Sequence, residues 1–296
     1  MGRWVTWGSW MMAIALQACA AQTPAVHVGR YESIPWGFST NTWWVEGPTG
    51  VVLMDTQFLP SAAVDAVEVA EAYTGKKVVL AFVLHANPDK FNGVGVLAER
   101  GIRVVTSEQV RNRIPEVDAL RRTWFYDRYK PDYPEKLVLP ESLGDQSTTI
   151  NAAGLSFRVV VTGPSVSRDH IVVQVGDHVF AGDILANKHH AWLELGLVPE
   201  WLRTLDEIGH MNPRHLYPGR GHAQGPQLLE TQRAYLHDFE NAVRRAQGQQ
   251  PWSDEVKKQI VTEIETKYPG YGNPFFINRG VKSVWDRGEL DGVEKR

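Results

Sequence analysis

The sequence contains almost no cysteine, since Cys19 is the only one among its 296 residues. No disulfide can form within the chain, and a bound metal would need His, Asp, Glu or Asn ligands. Charge of one sign is not in excess either, with a formal net charge of -3 and a pI near 6.4. A nucleic-acid partner needs a basic surface, which this balance does not supply. We also find no repeat and no low-complexity run, so the chain reads as an ordinary globular protein.

Long hydrophobic runs are scarce as well. The apolar run Trp10–Ala18 near the N-terminus is too short for a bilayer span, which takes about 20 residues. Together with Arg3 it is typical of a secretory signal, which we place at residues 1–20. Two cleavage sites stay open: the small-x-small tripeptide of residues 18–20, or a lipoprotein-type box, "LQAC", cleaved before a lipidated Cys19. We therefore expect export to the periplasm, with membrane contact only through a lipid anchor.

Strand and helix patterns alternate along the rest of the chain, residues 25–296. Thr42–Glu46 and Val51–Asp55 predict a hairpin, Pro60 begins a predicted helix, and the apolar run Val78–His85 predicts a buried strand. The second half repeats this alternation and ends in helices. The order predicts a layered α/β domain, in which sites lie beyond the carboxyl ends of the strands.

Two segments stand out from this pattern. The loop "LHANPDKFNG", Leu84–Gly93, follows a predicted strand and places His85, Asp89 and Lys90 close together. Residues 120–142 are aromatic, basic and interrupted by proline. We interpret them as an insertion over the core, either a packed surface excursion or the lining of a cleft mouth.

Five motifs in order give the chain a family resemblance: "VVLMDT", "HANPDKFNG", "TGPSVSRDHIVV", "VFAGD" and "YPGRG". Their sequence resembles that of the metallo-β-lactamase superfamily over residues 28–245. The resemblance implies an α+β fold of four layers, an αββα sandwich, with the site at one edge of the two sheets.

The resemblance also implies a metal site, but an incomplete one. His85, Asp89 and Asp183 match metal-ligand positions of the family, and His222 lies close enough in sequence to a further position to be a fourth ligand. This set suits one zinc ion, with iron or manganese as alternatives, or no metal at all. Asn87 stands where the family has another histidine.

Two cations occupy further histidine positions of the family, namely Lys90 and Arg220. A unit charge about 4 Å from a dication costs roughly 8 kcal/mol at an effective dielectric constant of about 20, so we expect these cations to replace the second metal. Two interpretations stay open. In one, Lys90 and Arg220 stabilise an oxyanion, Asp89 supplies the base and His170 carries a proton. In the other, the cations form a salt-bridged remnant with the carboxylates.

Two functions therefore compete at the level of sequence. The leading hypothesis is an exported hydrolase of a small ester, amide, lactone or thioester, with at most one metal. The alternative is a non-catalytic binding protein that holds an anionic ligand at Lys90 and Arg220. Both hypotheses name a small molecule as the partner and exclude nucleic acid.

Overall fold

A computed structural model describes Gly2 and residues 26–294 of the chain, without the side chains of residues 289–294. The predicted signal segment and the lipidation site at Cys19 lie outside the described residues, apart from Gly2. None of the helices in the described part is long and apolar enough to cross a membrane.

The first sheet has six strands in sequence order, β1 to β6. The first three strands form an antiparallel meander, and the strands from β3 to β6 pair in parallel. The predicted hairpin is confirmed as β2 and β3, joined by a tight turn. The strands are β1 (His27–Glu32), β2 (Asn41–Gly47), β3 (Gly50–Met54), β4 (Val78–Phe82), β5 (Arg103–Thr106) and β6 (Glu141–Ser142).

The second sheet has five strands in the order β11-β10-β9-β8-β7. Four of them form an antiparallel meander, and the last strand returns to pair in parallel with β10. They are β7 (Thr148–Ala152), β8 (Leu155–Thr162), β9 (His170–Val175), β10 (His178–Ala186) and β11 (His215–Arg220).

The helices follow ordinary start and stop chemistry. A proline stands in the first turn of α1, and Gly75 ends that helix in the left-handed region. The hydroxyl of Ser107 accepts a hydrogen bond from the Val110 amide and so caps α4. The helices are α1 (Pro60–Thr74), α2 (Pro88–Phe91), α3 (Val94–Glu99), α4 (Glu108–Tyr129), α5 (Val198–His210), α6 (Gln227–Gln247), α7 (Asp254–Lys267) and α8 (Phe275–Glu294).

The two sheets pack face to face and are covered by helices on their outer sides. Between the sheets, the rings of Phe82 and Phe157 lie 5.9 Å apart within one continuous core. Helices α1 and α3 pack on the first sheet, and a second core joins the other sheet to α5, α6, α7 and α8. This is the four-layer αββα arrangement that the sequence motifs imply.

The structure differs from the sequence prediction in three segments. Strand β4 ends at Phe82 rather than at His85, because the chain there leaves the sheet to enter the site loop. Residues 120–142 are not an irregular insertion, since their first half continues α4 to Tyr129. Helix α8, Phe275–Glu294, does not follow from the sequence pattern, because three glycines interrupt it.

Candidate functional site

Five charged side chains meet where strands of the two sheets end. Asp55 directly follows β3, Asp89 and Lys90 lie in the short helix α2, Asp183 lies in β10, and Arg220 is the last residue of β11. All five are buried, and Lys90 is 0% exposed. We call these residues the ion-pair cluster.

Lys90 is surrounded by carboxylates. Its Nζ lies 2.9 Å from Asp183 Oδ1, 3.1 Å from Asp89 Oδ2 and 3.6 Å from Asp55 Oδ2. The guanidinium of Arg220 bridges two of the same residues, donating from Nη1 to Asp183 Oδ2 at 2.8 Å and from Nη2 to Asp89 Oδ2 at 2.8 Å. The two cations therefore lie between the carboxylates, as expected from the sequence.

A glycine permits this close approach of β10 and β11. A Cβ on Gly219 would lie 1.8 Å from Oδ1 of Asp183, which is well inside van der Waals contact. Only glycine at this position lets the end of β11 bring Arg220 against the Asp183 carboxylate.

The cations control the ionisation of the cluster. Burial alone would raise the pKa of Asp183, but Arg220 and Lys90 hold that pKa well below its usual range. The same two cations lower the pKa of Asp89 against the effect of burial. Burial outweighs Lys90 at Asp55, whose pKa is raised to about 6. The cluster is thus ionised at neutral pH and holds three carboxylates against two cations.

Two stacked histidines border the cluster. The rings of His85 and His170 lie 4.9 Å apart at an angle of 12°. His85 Nε2 is 3.4 Å from Asp183 Oδ2, without the alignment of a hydrogen bond. His170 Nδ1 lies 2.8 Å from the carbonyl of Ile171, and its Nε2 has no partner. Burial, and then His85, lowers the pKa of His170, so this ring is a neutral neighbour of the cluster.

The predicted ligand His222 is not part of this cluster. It is exposed, and its main-chain carbonyl accepts a hydrogen bond from Asn187 Nδ2. Its role as a metal ligand stays a prediction, which this exposed position does not support. The chain passes from Arg220 through a left-handed Gly221 and turns His222 toward solvent.

The other predicted ligands, His85, Asp89 and Asp183, do not fit the metal centre that the family implies. Each carboxylate oxygen of Asp89 and Asp183 lies beside a cation or an amide donor, the amide being Nδ2 of Asn87 at 2.8 Å. At Asp183 Oδ1 this neighbour is Lys90 Nζ, an ion pair at 2.9 Å without hydrogen-bond alignment. An ion bound to Asp183 would share that carboxylate with Lys90, at a repulsion of roughly 8 kcal/mol for a separation of about 4 Å. The carboxylates thus accommodate ammonium and guanidinium groups rather than a metal ion.

One other group of described residues could hold a metal ion: Asp177, His178 and His215, whose ligand atoms lie within 4.8 Å of one another. It lies at the opposite ends of β10 and β11 from the ion-pair cluster. The two imidazoles are stacked at 4.6 Å and 21°, so their in-plane lone pairs do not converge on one point. This group is separate from the site predicted from sequence.

A cavity of about 480 Å³ opens above the ion-pair cluster. Its floor includes Asp89, Asp183 and Arg220, and its walls come from the second half of α4, the first turn of α8 and the loop before β2. The walls carry aromatic rings, among them Trp36, Phe38, Trp124, Phe125, Trp192 and Phe276. Pockets of this size and character hold small molecules in other proteins.

Comparison with known proteins assigns the fold to a family. The model of the metallo-beta-lactamase superfamily matches residues 35–220, and the chain belongs to this superfamily. Helix α8 and its cavity residues lie beyond the matched region. A search of curated protein sequences gave no match.

Solved structures similar to this chain carry the same fold at low sequence identity. A metallo-beta-lactamase from Pontibacter korlensis has a TM-score of 0.56 at 16% identity, covering 73% of this chain and 96% of that one. The metallo-beta-lactamase FIM-1 from Pseudomonas aeruginosa, in its mono-zinc form, has a TM-score of 0.53 at 19% identity, covering 72% and 90%. A metallo-beta-lactamase from Hirschia baltica has a TM-score of 0.51 at 19% identity, covering 71% and 92%.

The sequence indicates the cluster and, in residues 120–142, one wall of the cavity, but not the wall that α8 supplies. The spacing of motifs brought out Asp89, Lys90, Asp183 and Arg220, which the structure places together. It did not bring out Phe275, Phe276 or Arg279, because no motif marks them and α8 was not assigned. The aromatic spacing within α4 was the available signal, since residues 121, 124, 125 and 128 fall on one helical face.

Proposed function

We propose that this protein binds a small molecule in the cavity above the ion-pair cluster, without a metal ion. The supporting observation is the position of the Lys90 ammonium between three carboxylates, where it and Arg220 neutralise the acidic residues of the site. The cluster acts as a rigid floor rather than as a catalytic centre. The cavity above it, with its aromatic walls, is the place for the ligand.

The binding hypothesis from sequence has Lys90 and Arg220 hold an anionic ligand. Their contacts in the structure favour a different role. Both hydrogen-bonding edges of Arg220 are occupied, by Asp183, Asp89 and the carbonyl of Phe38, and Lys90 is fully buried. A ligand anion would have to displace a carboxylate to reach them. The cations therefore hold the floor together, and the ligand contacts the walls.

Ligand binding with and without a chelator tests this function. A thermal-shift screen of small molecules should give compounds that raise the melting temperature equally with and without EDTA. The Phe275→Ala variant removes an exposed ring from the cavity wall, so it should weaken these shifts. Tyr73→Ala is the matched control, because Tyr73 is an exposed ring on α1 outside the cavity. Stabilisation that EDTA abolishes would contradict a metal-free site.

Metal-dependent hydrolysis of an ester, amide, lactone or thioester is the second candidate function. It is favoured by the family and by three buried ring nitrogens without a hydrogen-bond partner beside the cluster, namely both of His85 and Nε2 of His170. Assays against such substrates with added zinc, iron or manganese test it. Turnover that rises with metal and is lost in Asp183→Asn would establish this candidate over metal-free binding.

We also propose that the chain is exported and processed near Cys19. The support is the apolar run Trp10–Ala18 after Arg3, with a small-residue site beyond it. Mass spectrometry of the mature N-terminus after cell fractionation tests this. A lipidated Cys19 in the membrane fraction indicates an anchor, a free Ala21 in the periplasm indicates simple cleavage, and an intact Met1 in the cytoplasm contradicts export.

A further inference from the structure

The opening, or mouth, of the cavity carries charged residues that have no role in the binding described above. Arg128 on α4 and Arg279 on α8 both line the cavity and are exposed. Within the described part of the chain, neither has a carboxylate within ion-pair distance. Two other arginines of the cavity, Arg121 and Arg220, are paired, the former with Glu194. Glu194, whose pKa is lowered by Arg121 and then by Arg279 against the effect of burial, partly neutralises Arg279 as well. Because this one carboxylate is set against Arg121, Arg128 and Arg279, the mouth keeps a net positive charge.

These two guanidinium groups are held in place by aromatic rings. Arg128 lies 4.9 Å from the ring centroid of Trp36, and Arg279 lies 4.6 Å from that of Trp124. Stacking of this kind orients a guanidinium while leaving its N–H edges available to an anion. It also covers ring faces that a cationic ligand would need. The charge and the geometry both favour an anion at the mouth.

The interior of the cavity favours an apolar group and disfavours an anion. Below the mouth lie rings such as Phe38 and Phe125, which pack edge to face 5.7 Å apart. At the floor, the carboxylates of Asp89 and Asp183 would repel a ligand anion. A ligand with an apolar ring and one acidic group satisfies both regions when its ring points inward and its acid points out.

We propose that the cavity binds a small aromatic carboxylate, with its ring among the aromatic walls and its carboxylate at the mouth that Arg128 and Arg279 line. This inference rests on the proposed binding function and names the ligand class. It concerns residues of α4 and α8, and α8 lies outside the region matched by the family model. Because both guanidinium groups are exposed, water and salt screen their attraction for an anion, and each contributes at most roughly 5-fold in affinity.

Calorimetric titration with three compounds of one ring system tests the proposal: indole-3-acetate, indole-3-acetamide and indole. We expect the acid to bind at least ~10-fold more tightly than the neutral amide. Arg128→Gln and Arg279→Gln should each lower the affinity for the acid by up to ~5-fold and leave that for the amide unchanged. Arg158→Gln, an exposed arginine on β8 outside the cavity, is the matched control and should change neither.

The outcomes separate this inference from the function on which it rests. If the amide and indole bind as tightly as the acid, the cavity binds small molecules but the carboxylate assignment is overturned. Equal losses for acid and amide in the arginine variants would overturn it as well. If none of the three binds, aromatic carboxylates are excluded as the class, while the thermal-shift screen still decides whether the cavity binds other compounds.

Discussion

Replacing Lys90 with methionine is the perturbation that isolates the ion-pair cluster. Methionine keeps much of the side-chain volume but removes an ammonium that is 0% exposed and lies within 3.6 Å of three carboxylates. Arg220 alone then faces all three acids. Removing one partner from a buried charge cluster costs about 3–5 kcal/mol, and we expect a loss of this size in the free energy of unfolding at pH 8.

The loss should depend on pH in a defined direction. In the variant the remaining carboxylates lack a cation, so their pKa values rise and they take up protons as the pH falls. Protonation removes the uncompensated charge, which makes the destabilisation smaller at pH 5 than at pH 8. Urea denaturation of wild type and variant at both pH values measures this difference.

Lys258→Met is the matched control, because Lys258 is an exposed lysine on α7. Its effect should stay within about 0.5 kcal/mol at both pH values. A loss below about 1 kcal/mol for Lys90→Met, or a loss of the same size at pH 5 and pH 8, would refute the reasoning.

Four further predictions follow from the same geometry. The pKa of Asp55 is raised from 3.8 to about 6, so the folded state binds its proton first and stability should rise by roughly 3 kcal/mol as the pH falls from about 6 to about 4. Urea midpoints across this range should lose that rise in Asp55→Asn. Arg220→Lys should lose about 2 kcal/mol by the same assay, because a single ammonium cannot replace the three nitrogens that donate to Asp89, Asp183 and the carbonyl of Phe38. Gly219→Ala should lower the free energy of unfolding by about 3 kcal/mol, since its Cβ would meet Asp183 at 1.8 Å. His222→Ala should change stability by less than about 0.5 kcal/mol, and a larger loss would give this exposed residue a structural role.

Local signals in the sequence predict the strands and helices, whereas the four-layer fold and the cluster are implied by the family resemblance of the five motifs. The apolar runs and the turn residues define β2, β3 and α1, and the structure has these elements within a residue or two of the expected bounds. The five motifs place their charged residues at strand ends. In a layered fold such ends lie along one edge, so Lys90 and Arg220 could be expected to meet the same carboxylates.

The cavity could not be predicted in the same way, because its walls come from distant elements. Trp36, Trp124 and Phe276 are far apart in sequence, and only the packing of α4 and α8 over the sheet ends brings them together. For His222, proximity in sequence does not give proximity in the structure. It is near Arg220 in sequence, but a left-handed glycine between them turns the chain outward.

The central claim is that Lys90 and Arg220 occupy the place of the second metal ion that the family resemblance implies. Native mass spectrometry of the protein in excess zinc measures this, using a His215→Ala background to remove the surface group at the far ends of β10 and β11. We predict no stoichiometric zinc in this chain, and zinc binding once Lys90→His and Arg220→His are introduced together. Stoichiometric zinc in the chain that retains both cations, lost in Asp183→Asn, would contradict the account.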